Sequence, residues 1–222
     1  MSWIVKKRNV FFKKNKFDEF ILISTPKCGG MSLEKYLSNS GYSLSRPQKL
    51  NLTGHFTFLD TYSKIENSKY KYITKYLIPY RDSYEWRKSF YKYVKSKPNE
   101  SGMKTISYLF NQITFSQYVE LLISGKYNNF GTIENLAFIP RNNYVSNVLN
   151  ENIKIDNVEI YLYNMSNGFE NLFTNHFECN LDETEIVNST EDIETYLISD
   201  ELLSKLNKFD EIKSSKNIFE LF

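Results

Sequence analysis

Apolar and polar positions repeat with two different periods along this chain, and the switches between them mark its elements. Glu19 to Ser24 is a short apolar run ended by Thr25-Pro26, which predicts a buried strand. Gly30 to Ser40 follows with Leu33, Tyr36 and Leu37 at helical spacing and Gly41 just past its end, which predicts a helix. Residues 41–56 are polar, are broken by Pro47 and Gly54, and read as irregular. Tyr72 to Tyr80 is the second predicted strand. Asp82, three residues before Glu85, predicts the N-cap of a helix reaching about Lys95. Thr114 and Gln117 form a similar box before Y-V-E-L-L-I-S, with Gly125 as the stop. Val158 to Tyr163 predicts a third strand, and Ser166 to Phe177 a helix. Ser199 to Ser214 predicts a long amphipathic helix with Leu202, Leu203, Leu206 and Phe209 on its inner face.

Strands that alternate with helices predict an α/β fold, with a central, mostly parallel sheet flanked by helices. Residues 97–103 read as a loop, and no repeat, low-complexity tract or linker interrupts the chain. At 222 residues, a single domain over residues 1–222 is expected. Hydrophobic residues make up 41% and aromatic residues 16%, enough for one packed core. The net charge of +2 gives no nucleic-acid footprint. Lys6, Lys7, Arg8, Lys13, Lys14 and Lys16 do crowd the N-terminus. A solvated edge hairpin accounts for that run, since edge strands commonly carry lysines; the alternative is a patch for an acidic substrate. Cys28 and Cys179 have neither metal-site nor disulfide spacing. No apolar run approaches the roughly 20 residues of a membrane span, and no signal-peptide core is present. A cytoplasmic protein without a membrane span is the expectation.

The first predicted strand and helix are joined by T-P-K-C-G-G-M-S, residues 25 to 32. That is the place of a phosphate-binding loop, G-x-x-x-x-G-K-[ST], and a P-loop-like domain is therefore expected. Thr25 replaces the first glycine, and Met31 replaces the lysine. One lysine remains at the front of the loop, Lys27. Backbone N–H groups from Cys28 through Gly29, Gly30, Met31 and Ser32 to Leu33 can still converge on an anion at the helix N-terminus. Ser32 adds a hydroxyl, and Lys27 a cation for a leaving phosphate oxygen. The plain alternative is a glycine-rich turn that binds nothing.

A second strand–turn–helix follows in Y-L-I-P-Y-R-D-S-Y-E-W-R-K-S-F-Y-K-Y, Tyr76 to Tyr93. Arg81 stands at the strand's carboxyl end, where open α/β sheets bind ligands, and offers a bidentate fork for a phosphate. Ser89, two turns into the helix, offers a hydroxyl. Two anion sites on one sheet edge suit a nucleotide carrying phosphates at both ends of its ribose. Taken singly, Arg81 is equally explained by an ion pair with Asp82 or Glu85, and Ser89 by an ordinary helix-face serine.

The sequences P-K-C-G-G-M-S-L and R-D-S-Y-E-W-R-K-S-F-Y together resemble the paired cofactor motifs of the sulfotransferase superfamily. They are closest in style to the carbohydrate sulfotransferases. G-H-F-T-F, residues 54 to 58, is similar to an element many of these carry between the two loops. V-N-S-T at Val187 to Thr190 and K-L-N-K-F-D-E-I at Lys205 to Ile212 are weaker matches. The resemblance implies transfer of the sulfuryl group of 3′-phosphoadenosine 5′-phosphosulfate (PAPS) to an acceptor hydroxyl, on a carbohydrate, leaving 3′,5′-diphosphoadenosine. It implies Lys27 to Leu33 around the 5′-phosphosulfate and Arg81 with Ser89 on the 3′-phosphate. It also implies His55 and Lys27 as the catalytic residues, without a metal. Ser83 stands where the family has proline. Trp86 stands where a second arginine is usual, with Arg87 one place off; either the 3′-phosphate is held more loosely or Arg87 reaches in. Arg141 occupies a place where relatives often have glutamine.

A histidine with an ordinary pKa near 6.5 suits a general base that removes the acceptor's proton. A surface or packing role is the alternative for His55, and His176 reads as structural. Two other functions share the expected fold. One is a P-loop nucleotide kinase or NTPase, which Met31 argues against. The other is a glycan- or anion-binding domain that has lost its chemistry.

Overall fold

Glu19–Ile23 (β2) is the strand that the apolar run predicts, and Phe20 through Ile23 are all buried. It belongs to a computed structural model that describes residues 2–7, 17–23, 25–45, 58–100, 103–125, 157–177, 196–210 and 218–221. The fold is α/β. Where one domain is expected from the sequence pattern, Cα packing divides the chain into two compact units. The first comprises Met1–Arg81, Tyr144–Val187 and Ile212–Phe222, and the second Asp82–Asn143 and Asn188–Glu211.

The first unit holds a six-stranded open sheet in the order β3-β1-β2-β4-β5-β6. Its strands are Ser2–Lys7 (β1), β2, Tyr42–Ser45 (β3), Lys75–Tyr80 (β4), Glu159–Asn164 (β5) and Ile218–Leu221 (β6). β2, β4, β5 and β6 form a continuous parallel ladder, while β1 runs antiparallel to both β2 and β3. The sheet is thus mixed, and only partly the parallel sheet expected. β1 is not an edge strand. It is interior, with Ile4 and Val5 buried and Trp3 facing Leu22. Of the basic run at the N-terminus, Lys6 forms an ion pair with Glu19 and donates to the Tyr72 hydroxyl at 2.7 Å. Residues 8–16 lie outside the described residues. Among the described residues β3 is the edge on that side, within a stretch that reads as irregular from its sequence.

β4 contains Pro79, which has no N–H to give to a ladder. The Thr74 carbonyl accepts from Glu159 N at 2.9 Å, so Thr74 faces β5. Backbone groups alternate sides along a strand, which turns Lys75, Leu77 and Pro79 toward β2. The β2 register ends at Leu22↔Leu77, and the β5 register runs on to Tyr80↔Asn164. Proline is therefore tolerated because it falls beyond the last β2 pair.

Two helices of this unit precede β4: Gly30–Asn39 (α1) and Phe58–Glu66 (α2). The Trp3 indole N–H donates to Glu34 Oε1 at 2.6 Å and ties β1 to α1. Ser2 and Thr61 hydroxyls, 3.0 Å apart and buried, tie it to α2. An aromatic cluster of Phe17, Phe20, Tyr42 and Phe177 packs with ring centroids 4.9–6.3 Å apart. The helix expected over Ser166–Phe177 is instead three pieces: a 3-10 turn at Met165–Asn167, a short helix at Phe169–Leu172 (α6) and a π turn at Phe173–Phe177. Gly168 at φ 80° separates the first two. His176 lies in the π turn, its ring centroid 6.5 Å from that of Tyr163.

The described part of the second unit is helical: Ser83–Lys95 (α3), Lys104–Gln112 (α4), Phe115–Ser124 (α5) and Asp200–Phe209 (α7). α7 is shorter than the helix expected over residues 199–214. Leu206 is buried, while Leu202 and Phe209 are only partly covered; residues 211–217 lie outside the described residues. Tyr91, Phe110, Phe115 and Tyr118 form the aromatic centre of this unit, and the Tyr91 hydroxyl donates to the Phe110 and Ile113 carbonyls. The Asp82 side chain caps α3 by accepting from Glu85 N at 2.8 Å. The Thr114–Gln117 box is complete, and Gly125 ends α5 at φ 64°. Among the described residues, no helix is long and apolar enough to cross a membrane.

Because Thr114 satisfies an otherwise orphaned N–H, Thr114→Ala should lower unfolding free energy by about 1 kcal/mol. A shift of the urea midpoint at unchanged slope is the reading to look for.

Candidate functional site

The segment between β2 and α1 is a tight loop that enters its helix through left-handed backbone. Cys28 N bonds the Thr25 carbonyl at 3.3 Å to close a turn. Lys27 has φ 59° and Gly29 φ 68°. Gly29 is the N-cap of α1 and brings no side-chain cap, and no acidic residue occupies the first turn. Leu33 N makes the first helical bond, to the Gly29 carbonyl at 2.9 Å. The N–H groups of Gly30, Met31 and Ser32 precede it and have no acceptor inside the helix. The first turn of α1 thus brings no carboxylate of its own to the positive end of the helix dipole. Lys27 is the informative residue. A side-chain-bearing residue in the left-handed region costs about 1–2 kcal/mol, and asparagine or glycine is the usual occupant.

Side chains of the loop separate into two sets. Cys28, Ser32 and Leu33 are buried. The N–H groups of Cys28 and Leu33 are given to the Thr25 and Gly29 carbonyls, so the convergence on an anion expected from Cys28 to Leu33 does not extend to its two ends. Met31, in the position of the lysine in the usual phosphate loop, is 60% exposed. Lys27 is half-buried. Thr25 Oγ1 is buried at the start of the loop and has no hydrogen-bond partner among the described residues.

The topology brings Arg81 to the same sheet edge. β2 and β4 are parallel neighbours, so the loop after Ile23 and the Arg81 that follows Tyr80 both leave from carboxyl ends. From β2 the chain passes through α1 to β3 on one side of the sheet. The next sheet strand after β4 is β5, on the other. The divergence makes the β2/β4 boundary a topological switch point, where open α/β sheets take ligands. Arg81 itself is half-buried. The carboxylates that compete for it in the sequence are engaged otherwise, Asp82 in capping α3 and Glu85 with Lys88 at 3.4 Å.

In the second unit, α3 carries Ser89, half-buried, two turns from its start. Trp86 and Arg87, the positions from which a second cation is expected, both turn into the core. Arg87 is buried; its Nη2 lies 2.8 Å from Asp210 Oδ1 and its Nε 3.2 Å from Oδ2, a bidentate pair. Its Nη1 reaches the Tyr118 hydroxyl at 3.4 Å. The guanidinium carbon stands 4.4 Å from the centre of the Trp86 ring. Burial pulls the Arg87 pKa down, but Tyr118 and Asp210 outweigh it and hold the group above its ordinary value. Arg87 is therefore a charged structural residue, committed to Asp210. Asp210 ends α7, where a carboxylate opposes the helix dipole unless a cation meets it.

A third carboxyl end meets the loop without having been singled out in the sequence. β5 ends at Asn164, and the turn beyond it sets Phe169 against Gly29. A Cβ added to Gly29 would stand 3.0 Å from Phe169 Cζ and 3.5 Å from Met165 Cε. Phe169 also stacks on Tyr36 of α1, with centroids 4.9 Å apart. The sequence signal was available as a strand followed by an Asn and a Gly, but it marks only a turn.

His55 lies outside the described residues, as do Arg141, Cys179 and Val187 to Thr190. Among the described residues, no group of three or more His, Cys, Asp or Glu could hold a metal ion. No protein-family model, no curated protein and no solved structure matches the chain.

Breaking the buried pair strands a charge. Asp210→Ala should therefore destabilise the protein by about 3–5 kcal/mol, whereas replacing Arg87 and Asp210 together with Met and Leu should cost far less. Denaturant unfolding of the two variants distinguishes a committed ion pair from a surface one.

Proposed function

We propose that this protein is a sulfotransferase that moves the sulfuryl group of PAPS to an acceptor hydroxyl on a carbohydrate. The observation that carries the reading is the conjunction at the β2/β4 boundary. A helix N-terminus with glycine at its N-cap and no acidic residue in its first turn, entered through a lysine in left-handed backbone, follows the strand beside the one that delivers Arg81. The motif resemblance, with P-K-C-G-G-M-S-L and R-D-S-Y-E-W-R-K-S-F-Y in the same two places, gives that conjunction its substrate.

The donor set fits the nucleotide chemically. First-turn N–H groups, a lysine and no carboxylate suit the 5′-phosphosulfate. An arginine fork suits the 3′-phosphate, with the Ser89 hydroxyl assigned to it by the resemblance. When bound, PAPS supplies a sulfuryl group on a good leaving group. The chain's own residues then have two tasks. Lys27 neutralises charge at the bridging oxygen, and His55 accepts the proton of the acceptor hydroxyl. Positioning and charge neutralisation do the rest, as in phosphoryl transfer, and no protein nucleophile takes part. Arg87 is committed to Asp210, so of the two arginines in the second motif only Arg81 is left for the role that the resemblance implies.

Diphosphoadenosine at about a hundred times its Kd should stabilise the protein by about 2.7 kcal/mol, while ATP with magnesium should not. Thermal unfolding with each ligand tests this; stabilisation by ATP alone would point to an NTPase instead. In a PAPS turnover assay, His55→Ala should lose about 10²–10⁴-fold. A variant that keeps more than a tenth of wild-type turnover removes His55 as the base, and a wild-type protein that binds diphosphoadenosine without turning over PAPS is a binding domain.

A further inference from the structure

We propose that Phe169 is a positioning residue for the loop between β2 and α1: its ring, closed on Gly29, fixes the backbone that presents the first-turn N–H groups. The contact falls on the one residue through which the loop becomes a helix. Gly29 is left-handed, and a Cβ there would stand 3.0 Å from Phe169 Cζ, so a methyl group fits only if the ring gives way by a few tenths of an ångström. A loop that also carries Lys27 at φ 59° persists only where its surroundings over-determine it. Phe169 supplies that constraint from outside the loop.

The ring is itself held from the sheet. β5 pairs with β4 over six residues, up to Tyr80↔Asn164. Immediately beyond, Ser166 N donates to Asn164 Oδ1 at 3.0 Å, and Gly168 N to the Met165 carbonyl at 3.3 Å. The Tyr163 hydroxyl donates to the Gly168 carbonyl at 2.6 Å, so the residue before Phe169 is tied back to the strand. The ring also stacks on Tyr36, one helical turn after Ser32. Strand, tied turn, ring and loop thus form one chain of contacts inside the first unit. A different side chain at position 169 leaves the loop sequence intact and removes its support.

Loop positioning is tested without any ligand; only the effect on nucleotide affinity rests on the sulfotransferase reading. In the unliganded full chain, Phe169→Ala should raise the exchange rate of the Cys28 and Leu33 amides, which bond the Thr25 and Gly29 carbonyls, about tenfold or more, while Tyr76 to Ile78 of β4 keep wild-type protection. Phe169→Leu keeps an apolar side chain without the reach of Cζ; it should show the same split and stands in if the alanine variant does not fold. Unchanged loop protection in a folded variant overturns the proposal. Equal loss in loop and β4 also overturns it, since that is the mark of ordinary core packing. Calorimetric titration with diphosphoadenosine should show about 10- to 100-fold weaker binding to the variant. A wild-type protein that binds no diphosphoadenosine sinks the sulfotransferase reading, and the exchange measurement then decides on Phe169 alone.

Discussion

The parallel pairing of β2 with β4 is the constraint on which the first unit depends. It sets two carboxyl strand ends side by side, about 4.8 Å apart by ordinary sheet spacing. From those ends the chain goes on to sheet strands on opposite sides, β3 after β2 and β5 after β4. Every candidate group of this unit that the structure describes follows from that arrangement. The loop of Lys27 rises from one end, Arg81 from the other, and the Phe169 turn from the next strand over. Other strand pairings would scatter the same residues around the sheet.

The second unit is organised by a different constraint. Arg87 and Asp210 lie 123 positions apart in the chain and are both fully buried. Desolvating two charges is expensive, and a bidentate geometry with an additional hydroxyl and an aromatic face is what makes it tolerable. The pair joins the middle of α3 to the end of α7. It also decides the fate of the only arginine other than Arg81 in the second motif. From the sequence, Arg87 could be imagined turning outward toward an anion; on α3 it shares the inward side with Ser83, Trp86, Phe90, Tyr91 and Val94.

What was legible in the sequence was local. β2, α1, the Asp82 cap of α3 and the Thr114 box are written in consecutive residues, and their observed boundaries differ from the expected ones by a residue or so. β1 and β3 were not legible as an interior strand and an edge. Their partners come from distant segments, β3 is only four residues long, and lysines at one end of β1 give it the look of an edge. Helical periodicity over residues 166–177 concealed a glycine at φ 80° and a change of pitch. The loop of the candidate site could be read from its glycines and proline. Its support by Phe169 and the loss of Arg87 to Asp210 could not, because each depends on a side chain brought in by tertiary packing.

Pro79 carries a consequence for recognition. A strand with an amide at that position could extend its zipper with β2 toward the loop, and any guest would then have to unzip it. Proline has no N–H for that extra rung, so the ladder stops at Leu22↔Leu77. A nucleotide held at this boundary, as the proposed function has it, would spend none of its affinity on prising a Pro79 amide from β2.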